Sequence, residues 1–142
     1  MLHSDRIAVD ASFLLKIFLP EDKSDQAEEL WKKWIADSVE VVAPTLIAFE
    51  VASVIRNKLH NQILKENEGS EIINHLKHLD LTLIYTEDLL DIAWEIGGKL
   101  KTSALYDSFY IALAKLLKIP LWTADKKLFQ LAKKEFPFIN LL

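Results

Sequence analysis

Ile7-Ala8-Val9-Asp10 is a short apolar run that ends in an acidic residue, close to the start of the 142-residue chain. A short apolar run of this kind predicts a buried strand. Residues 11–19 continue with a helical pattern that stops at a proline. A second strand-like run, residues 40–43, precedes another proline and a helical pattern over residues 45–62. The chain therefore opens with short strands alternating with longer helices.

The same alternation extends through the rest of the chain. The pattern predicts further helices at residues 24–38, 65–80, 86–100, 103–118 and 126–135, and further strands at residues 81–85, 121–123 and 138–142. Ser24 and Thr86 are predicted to cap their helices, since their hydroxyls suit this position. Alternating strands and helices indicate a mostly parallel sheet with helices on both faces. Ligands of such sheets bind beyond the carboxyl ends of the strands.

Length and composition indicate one globular domain over residues 1–142. Hydrophobic residues make up 51% and charged residues 27% of the chain, and there is no cysteine, which excludes disulfides and thiolate zinc sites. We expect a cytoplasmic protein without a membrane contact, because no apolar stretch approaches the ~20 residues of a span and the N-terminus leaves no room for a signal peptide. The net charge of −4 argues against bulk nucleic-acid binding, although not against an enzyme acting on RNA.

Four acidic residues stand where a metal site would need them. Asp10 ends the first strand, Glu50 lies within an apolar helical run, Asp107 begins another such run, and Asp125 follows a short strand. Carboxylates in apolar surroundings are costly unless they are compensated. A divalent cation is the simplest compensation, since hard cations such as Mg²⁺ prefer oxygen ligands. This pattern predicts a metal-dependent phosphodiesterase.

Each acid also has a purely structural explanation. Asp10 and Asp125 are placed to cap the helices that follow them. Asp107 would interact favourably with the dipole of its helix. Glu50 would lie at the edge of its apolar face and pair with Arg56 or a lysine. The order and setting of the four acids together are therefore stronger evidence for a metal site than any single acid.

The ordered set of motifs resembles the PIN-domain family, particularly the small VapC-type ribonuclease toxins. The motifs that carry the resemblance are Val9-Asp10-Ala11-Ser12 with Leu14-Leu15-Lys16, Pro44-Thr45-Leu46 leading into Glu50-Val51, Tyr106-Asp107-Ser108 with Tyr110-Ile111-Ala112-Leu113-Ala114, and Leu121-Trp122-Thr123-Ala124-Asp125-Lys126-Lys127-Leu128. The match covers essentially the whole chain. One departure is Ser53, where many relatives carry Asn.

The resemblance implies a three-layer α/β/α sandwich with a central parallel sheet of four to five strands. It also implies an endoribonuclease that uses one or two Mg²⁺ or Mn²⁺ ions, often as a homodimer. By this analogy the catalytic and metal-binding acids are Asp10, Glu50, Asp107 and Asp125. Ser12 and Thr123 are their supporting hydroxyls.

Basic residues near the acidic motifs are the candidates for RNA contacts: Arg56, Lys58, Lys126 and Lys127. The toxin interpretation predicts an antitoxin protein whose segment fills the cleft. An RNA-processing nuclease and a non-catalytic PIN-fold scaffold are the alternatives. A phosphoaspartyl enzyme fits less well, because the second acid that it needs two residues after Asp10 is Ser12 here.

Three tryptophans offer aromatic faces that bases could stack on. Trp31, Trp34 and Trp94 lie on predicted helices. Their helical spacing favours the core or a dimer face over an RNA contact.

Overall fold

The computed structural model describes residues 5–102 and 105–142. The elements in these ranges, in chain order, are β1 Arg6–Val9, α1 Ala11–Phe18, α2 Ser24–Ala36, β2 Glu40–Pro44, α3 Leu46–His60, α4 Glu66–His78, β3 Thr82–Ile84, α5 Glu87–Leu100, α6 Tyr106–Leu117, β4 Leu121–Thr123, α7 Lys126–Ala132 and β5 Ile139–Leu141. The predicted alternation of strands and helices is confirmed. The predicted helix start at residue 103 lies outside the described residues.

The five strands form one parallel sheet in the order β3-β2-β1-β4-β5. The central strand β1 pairs with β2 through Ile7 and Val41, and with β4 through Ala8 and Leu121. Helices cover both faces, so the predicted three-layer α/β/α architecture is confirmed, with five strands. Because all strands run the same way, the residues that follow β1, β2 and β4 meet at one edge of the sheet.

Burial explains why β1 takes the central position. Ile7, Ala8 and Val9 are between 0% and 5% exposed, as expected for a parallel strand covered on both faces. Helix α6 is the most deeply buried helical segment, and its residues 110–114 are all in the core. It packs beside α5 and against β1 and β2. Strand β1 and helix α6 therefore bring two acid-bearing segments into the centre of the molecule.

Helix α2 begins differently from the prediction. Ser24 is not its N-cap but its first helical residue, and Lys23 precedes it in a left-handed conformation with φ 67°. The Ser24 hydroxyl instead donates to the carbonyl oxygens of Lys16 and Leu19, at 2.6 and 3.0 Å. These bonds satisfy carbonyls at the end of α1, which a helix end leaves without a partner. Ser24 thus joins two consecutive helices.

The tryptophans divide between core and surface. Trp31 and Trp34 are 8% exposed, and the Trp34 ring stacks on Phe13 at 5.4 Å between centroids. Trp94 is 73% exposed, so the core explanation is wrong for this residue. No helix in the described ranges is long and apolar enough to cross a membrane.

Candidate active site

Asp10 stands directly after β1 and is buried beneath the carboxyl edge of the sheet. Its side chain is the N-cap of α1 and accepts a hydrogen bond from the Phe13 amide at 2.9 Å. The Ser12 hydroxyl donates to the same oxygen, Oδ1, at 2.7 Å, and the Thr123 hydroxyl donates to Oδ2 at 2.5 Å. Three donors therefore hold the carboxylate in one orientation.

The two hydroxyls also connect β1–α1 with β4–α7. Ser12 Oγ accepts from the Ala124 amide at 2.9 Å, and Thr123 Oγ1 accepts from the Asp125 amide at 3.0 Å. The two hydroxyl oxygens are 3.2 Å apart. The pairing of β1 with β4 makes these contacts possible. The predicted supporting hydroxyls are thus brought together with Asp10.

Glu50 lies in the second turn of α3 and is half-buried. The hydroxyl of Tyr110 donates to Glu50 Oε1 at 2.9 Å. Tyr110 is 1% exposed and belongs to α6. Sequence reasoning did not assign Tyr110 a role, although its position three residues after Asp107 places it on the same helix face. The proposed pairing of Glu50 with Arg56 does not occur, since Arg56 instead lies 3.8 Å from Glu66.

Asp107 and Asp125 complete the acidic set. Asp107 is in the first turn of α6, and Asp125 is the N-cap of α7. Oδ1 of Asp125 accepts from the amides of Lys127 and Leu128, at 2.9 and 3.1 Å. The capping role suggested by the sequence is therefore real for Asp125, as it is for Asp10, and it occupies only one oxygen of Asp125.

The four acids share one electrostatic environment. Burial raises the pKa of Asp10 to about 6, although the bonds from Thr123, Ser12 and Phe13 lower it. Burial also raises the pKa of Glu50, against the lowering effect of the Tyr110 hydroxyl. Asp107 as a whole residue is exposed. Its carboxyl group is nevertheless partly desolvated, which raises its pKa, and the negative charge of Asp125 raises that pKa further.

Asp107 is the centre of this like-charge cluster. Its charge raises the pKa of both Asp10 and Glu50, while Asp125 raises the pKa of Asp107 itself. The pKa of Tyr110 is also raised, by burial first and then by the charges of the surrounding acids. Repulsion of this kind is what a bound cation would reverse.

The chemistry of the donor set fits a hard divalent cation, because all four groups offer carboxylate oxygens. Their present geometry does not enclose one. Among the described residues, no three Asp, Glu, His or Cys side chains lie close enough to hold a metal ion. One oxygen of Asp125 is engaged in capping α7, and one oxygen of Glu50 accepts from Tyr110. An ion held by three of these acids would require their side chains to move closer together.

The predicted RNA contacts lie at two places. Lys126 and Lys127 are exposed at the start of α7, next to Asp125. Arg56 is exposed and Lys58 is half-buried, and both lie in the second half of α3, beyond Glu50. The structure therefore places one pair of lysines beside an acid and the other two basic residues farther along α3.

The parallel sheet with acids at its carboxyl edge defines a known class of protein. A family model described as PIN domain matches residues 7–134. The chain therefore belongs to the PIN-domain family, and the resemblance seen in its four motifs is confirmed.

Within the PIN-domain family, the chain is similar to VapC ribonucleases. It is 32% identical to ribonuclease VapC3 of Pyrobaculum aerophilum over 135 residues, which cover 93% of this chain and 95% of the relative.

Two solved structures share the fold. A toxin–antitoxin complex from Klebsiella pneumoniae matches with a TM-score of 0.64 and 18% identity, over 94% of this chain and 95% of the other. VapC20 of Mycobacterium tuberculosis, described as a sarcin-ricin loop cleaving toxin, matches with a TM-score of 0.64 and 17% identity, over 87% of this chain and 93% of the other.

Proposed function

We propose that the protein is a metal-dependent endoribonuclease that hydrolyses RNA phosphodiester bonds as the toxin of a VapBC-type toxin–antitoxin pair. The observation that carries the proposal is the gathering of three carboxylates, those of Asp10, Glu50 and Asp125, around Asp107, which interacts electrostatically with each of them. Near full-length similarity to ribonuclease VapC3 supports it. In this proposal, Asp10, Glu50, Asp107 and Asp125 hold one or two Mg²⁺ or Mn²⁺ ions.

The residues of the chain itself position the reaction. Ser12 and Thr123 fix both oxygens of Asp10, so that this carboxylate meets a ligand in one orientation. The Tyr110 hydroxyl fixes one oxygen of Glu50 and leaves the other available. Partners of this type, which hold ligating groups in place, commonly contribute 10–100-fold to metal affinity or activity. When bound, the ions supply a water of lowered pKa as nucleophile and stabilise charge on the phosphate.

Positive side chains around the acids are proposed to bind the RNA backbone. Lys126 and Lys127 follow Asp125 directly and are exposed, which suits contact with phosphates flanking the cleaved bond. Arg56 and Lys58 are proposed as more distant phosphate contacts along α3. The chain as a whole carries a net charge of −4 and does not attract RNA. These local positive side chains are therefore proposed to supply the attraction to the phosphates.

We further propose which partners the toxin has and where it acts. An antitoxin protein is proposed to occupy the cleft at the acids, and the active form is proposed to be a homodimer. Residues 1–142 are proposed to be one domain that acts in the cytoplasm. Structural likeness to a toxin–antitoxin complex supports the fold on which these proposals depend.

Cleavage of an RNA panel tests the function. The purified protein is incubated with single-stranded and structured RNAs in Mg²⁺, Mn²⁺ or EDTA, beside the variants Asp10→Asn and Glu50→Gln. Asp91→Asn is the matched control, because Asp91 is an exposed acid of α5. We expect metal-dependent cutting by the wild type and the control, and none by the two site variants.

Two outcomes would contradict the proposal. Equal cutting by Asp10→Asn and the wild type would remove the carboxylates from the mechanism. Absence of cutting with either metal, together with Mn²⁺ titrations that show no carboxylate-dependent binding, would identify a PIN-fold scaffold in place of an enzyme.

A further inference from the structure

The last helix of the chain, α7, has one strongly positive face. Residues 126–142 contain four lysines and one acid, Glu135, so this segment has a net charge of +3 in a chain whose net charge is −4. We refer to its lysines, which are all exposed, as the α7 lysines: Lys126, Lys127, Lys133 and Lys134. Positive charge concentrated at one place in an otherwise acidic chain indicates a site for an anionic partner.

The helix turns this positive face away from the core. Its members are spaced at i, i+4, i+7 and i+8, which is typical of one side of a helix. They are Lys126, Gln130, Lys133 and Lys134. Leu128 and Ala132, on the opposite side, are 3% and 0% exposed. The helical course continues past Ala132, since the Lys133 amide donates to the Phe129 carbonyl at 2.9 Å.

The charge of the α7 lysines is not neutralised by neighbouring acids. None of the four forms an ion pair with a described residue. Glu135, which follows them in sequence, lies 3.6 Å from Lys99 of α5 instead. Helix α7 packs against β4 and β5, and neither of these strands contains an acid. The positive face is therefore available to an external anion.

Helix α7 begins at the acidic site. Asp125 is its N-cap, and the charge of Asp125 raises the pKa of Asp107 on α6. With a rise of about 1.5 Å per residue, Lys133 lies about 10 Å beyond Lys126 along the helix axis. The α7 lysines therefore form a row that starts beside the acids and leads away from them in one direction.

We propose that the α7 lysines bind the phosphates of the RNA on one side of the cleaved bond. This inference rests on the proposed ribonuclease function and adds to it a direction for the bound RNA and two contacts, Lys133 and Lys134. Phosphate contacts position a nucleic acid without reading its sequence. The substrate therefore needs several nucleotides on that side of the bond, whatever their bases.

An anionic membrane is a poorer partner for this face. Helices that lie on a membrane bury an apolar face in the lipid beside their basic residues, whereas the apolar face of α7, with Leu128 and Ala132, is buried in the core. Sedimentation with phosphatidylcholine vesicles that contain phosphatidylserine checks this point. Vesicle binding that is lost in the double variant Lys133→Gln/Lys134→Gln, with RNA binding unchanged, would assign the face to a membrane and overturn the proposal.

The salt dependence of RNA binding tests the proposal. Binding of a labelled single-stranded RNA is measured by fluorescence anisotropy over a range of NaCl concentrations, in EDTA, which withholds the metal needed for cutting. Each lysine that contacts a phosphate of a single strand contributes about 0.7 to the slope of log K against log salt. In Lys133→Gln/Lys134→Gln we expect this slope to fall by about 1.4 and binding at about 0.1 M salt to weaken roughly 25-fold.

The double variant Lys32→Gln/Lys33→Gln is the matched control. It removes the same charge from two exposed lysines of α2, and Lys33 there is paired with Asp37 at 2.9 Å. Glutamine keeps part of the aliphatic stem that lysine lays along the surface, and all four positions are exposed, so we expect both variants to fold. We expect the control to bind RNA with the salt slope of the wild type.

Shortened RNAs show the direction in which the RNA is bound. A cleaved RNA is trimmed from its 5′ end and, separately, from its 3′ end, and kcat and KM are measured in Mn²⁺. For the wild type, we expect loss of the outermost nucleotides from one end to raise KM by roughly 10- to 30-fold and to leave kcat little changed. In Lys133→Gln/Lys134→Gln the same trimming is expected to raise KM by roughly threefold or less, because both changes remove the same contacts.

The outcomes separate this inference from the function on which it rests. An unchanged salt slope in Lys133→Gln/Lys134→Gln, or an equal fall in the control, would overturn the proposal and leave the ribonuclease in place. An equal penalty of trimming in the wild type and in this variant would overturn it as well. Absence of cutting with either metal would overturn the proposed function separately, since the anisotropy measurement does not depend on cutting.

Discussion

Replacement of Asp10 by Asn is expected to stabilise the metal-free protein at neutral pH. Asp10 is 3% exposed, and burial raises its carboxyl pKa from 3.8 to about 6 despite three hydrogen bonds. Desolvation of the charge therefore outweighs the bonds that hold it. Asn has almost the same size and no charge, so it removes that cost. A group needed for function is thus expected to reduce the stability of the fold that carries it.

The pKa gives the size and the sign of the effect. The change from 3.8 to about 6 corresponds to about 3 kcal/mol, at about 1.4 kcal/mol per pKa unit. Between these pH values the folded protein binds more protons than the unfolded chain, so the free energy of unfolding falls as pH rises. This contribution is fully present below about pH 3.8 and is lost above about pH 6. Asn does not titrate. Because its bonds are weaker than those of a carboxylate, we expect a net gain of roughly 1–3 kcal/mol above that window.

Urea denaturation in EDTA across a pH series measures this difference. The wild type is compared with Asp10→Asn and with the exposed control Asp91→Asn. The advantage of Asp10→Asn over the wild type is expected to grow between about pH 4 and pH 6, whereas the control follows the wild type. Added Mn²⁺ is expected to stabilise the wild type more than the variant, because a ligand of the folded state shifts the unfolding equilibrium.

Two results would refute this reasoning. One is a variant that is less stable than the wild type at neutral pH. The other is a difference between the two proteins that does not change across the window. Either result would mean that the hydrogen bonds from Ser12, Thr123 and Phe13 fully compensate the buried charge.

Three further predictions concern the support of the site. Gly97→Ala is expected to be less stable than Gly98→Ala, because its Cβ would lie 2.3 Å from Leu105 Cδ2 and that side chain would have to move, whereas a Cβ at Gly98 meets nothing within 4 Å. Gly98→Ala should instead add up to about 1 kcal/mol, and thermal denaturation that ranked the two variants the other way would contradict this packing. Tyr110→Phe removes the hydrogen bond to Glu50, so Mn²⁺ titration is expected to show roughly 10-fold weaker binding; unchanged affinity would exclude Tyr110 as a positioning residue. Removal of divalent ions by EDTA is expected to stop RNA cleavage while circular dichroism stays unchanged, since the core is built from apolar side chains that need no ion; unfolding in EDTA would show that the metal is structural.

The sequence by itself determined the architecture and the candidate acids. Apolar runs and helical patterns alternate clearly enough to predict a parallel sheet, and the acid that follows the apolar run at residues 7–9 indicates its functional edge. Glu50 was recognisable because a carboxylate within an apolar helical run needs a partner. These signals are local, because each depends on the residues of a single stretch of chain. The start of α2 was predicted wrongly, because the Ser24 hydroxyl bonds to carbonyl groups at the end of α1 and does not cap α2.

Only the tertiary structure decided how the acids are held. Thr123 contacts Asp10 across 113 positions of the chain, and Tyr110 contacts Glu50 across 60. Both contacts depend on the placement of β4 beside β1 and on α6 in the core. The joining of Phe49, Tyr85 and Tyr106 in one pocket has the same origin. Local patterns report which face of an element is apolar, but the order in which elements pack arises from the burial of the whole core.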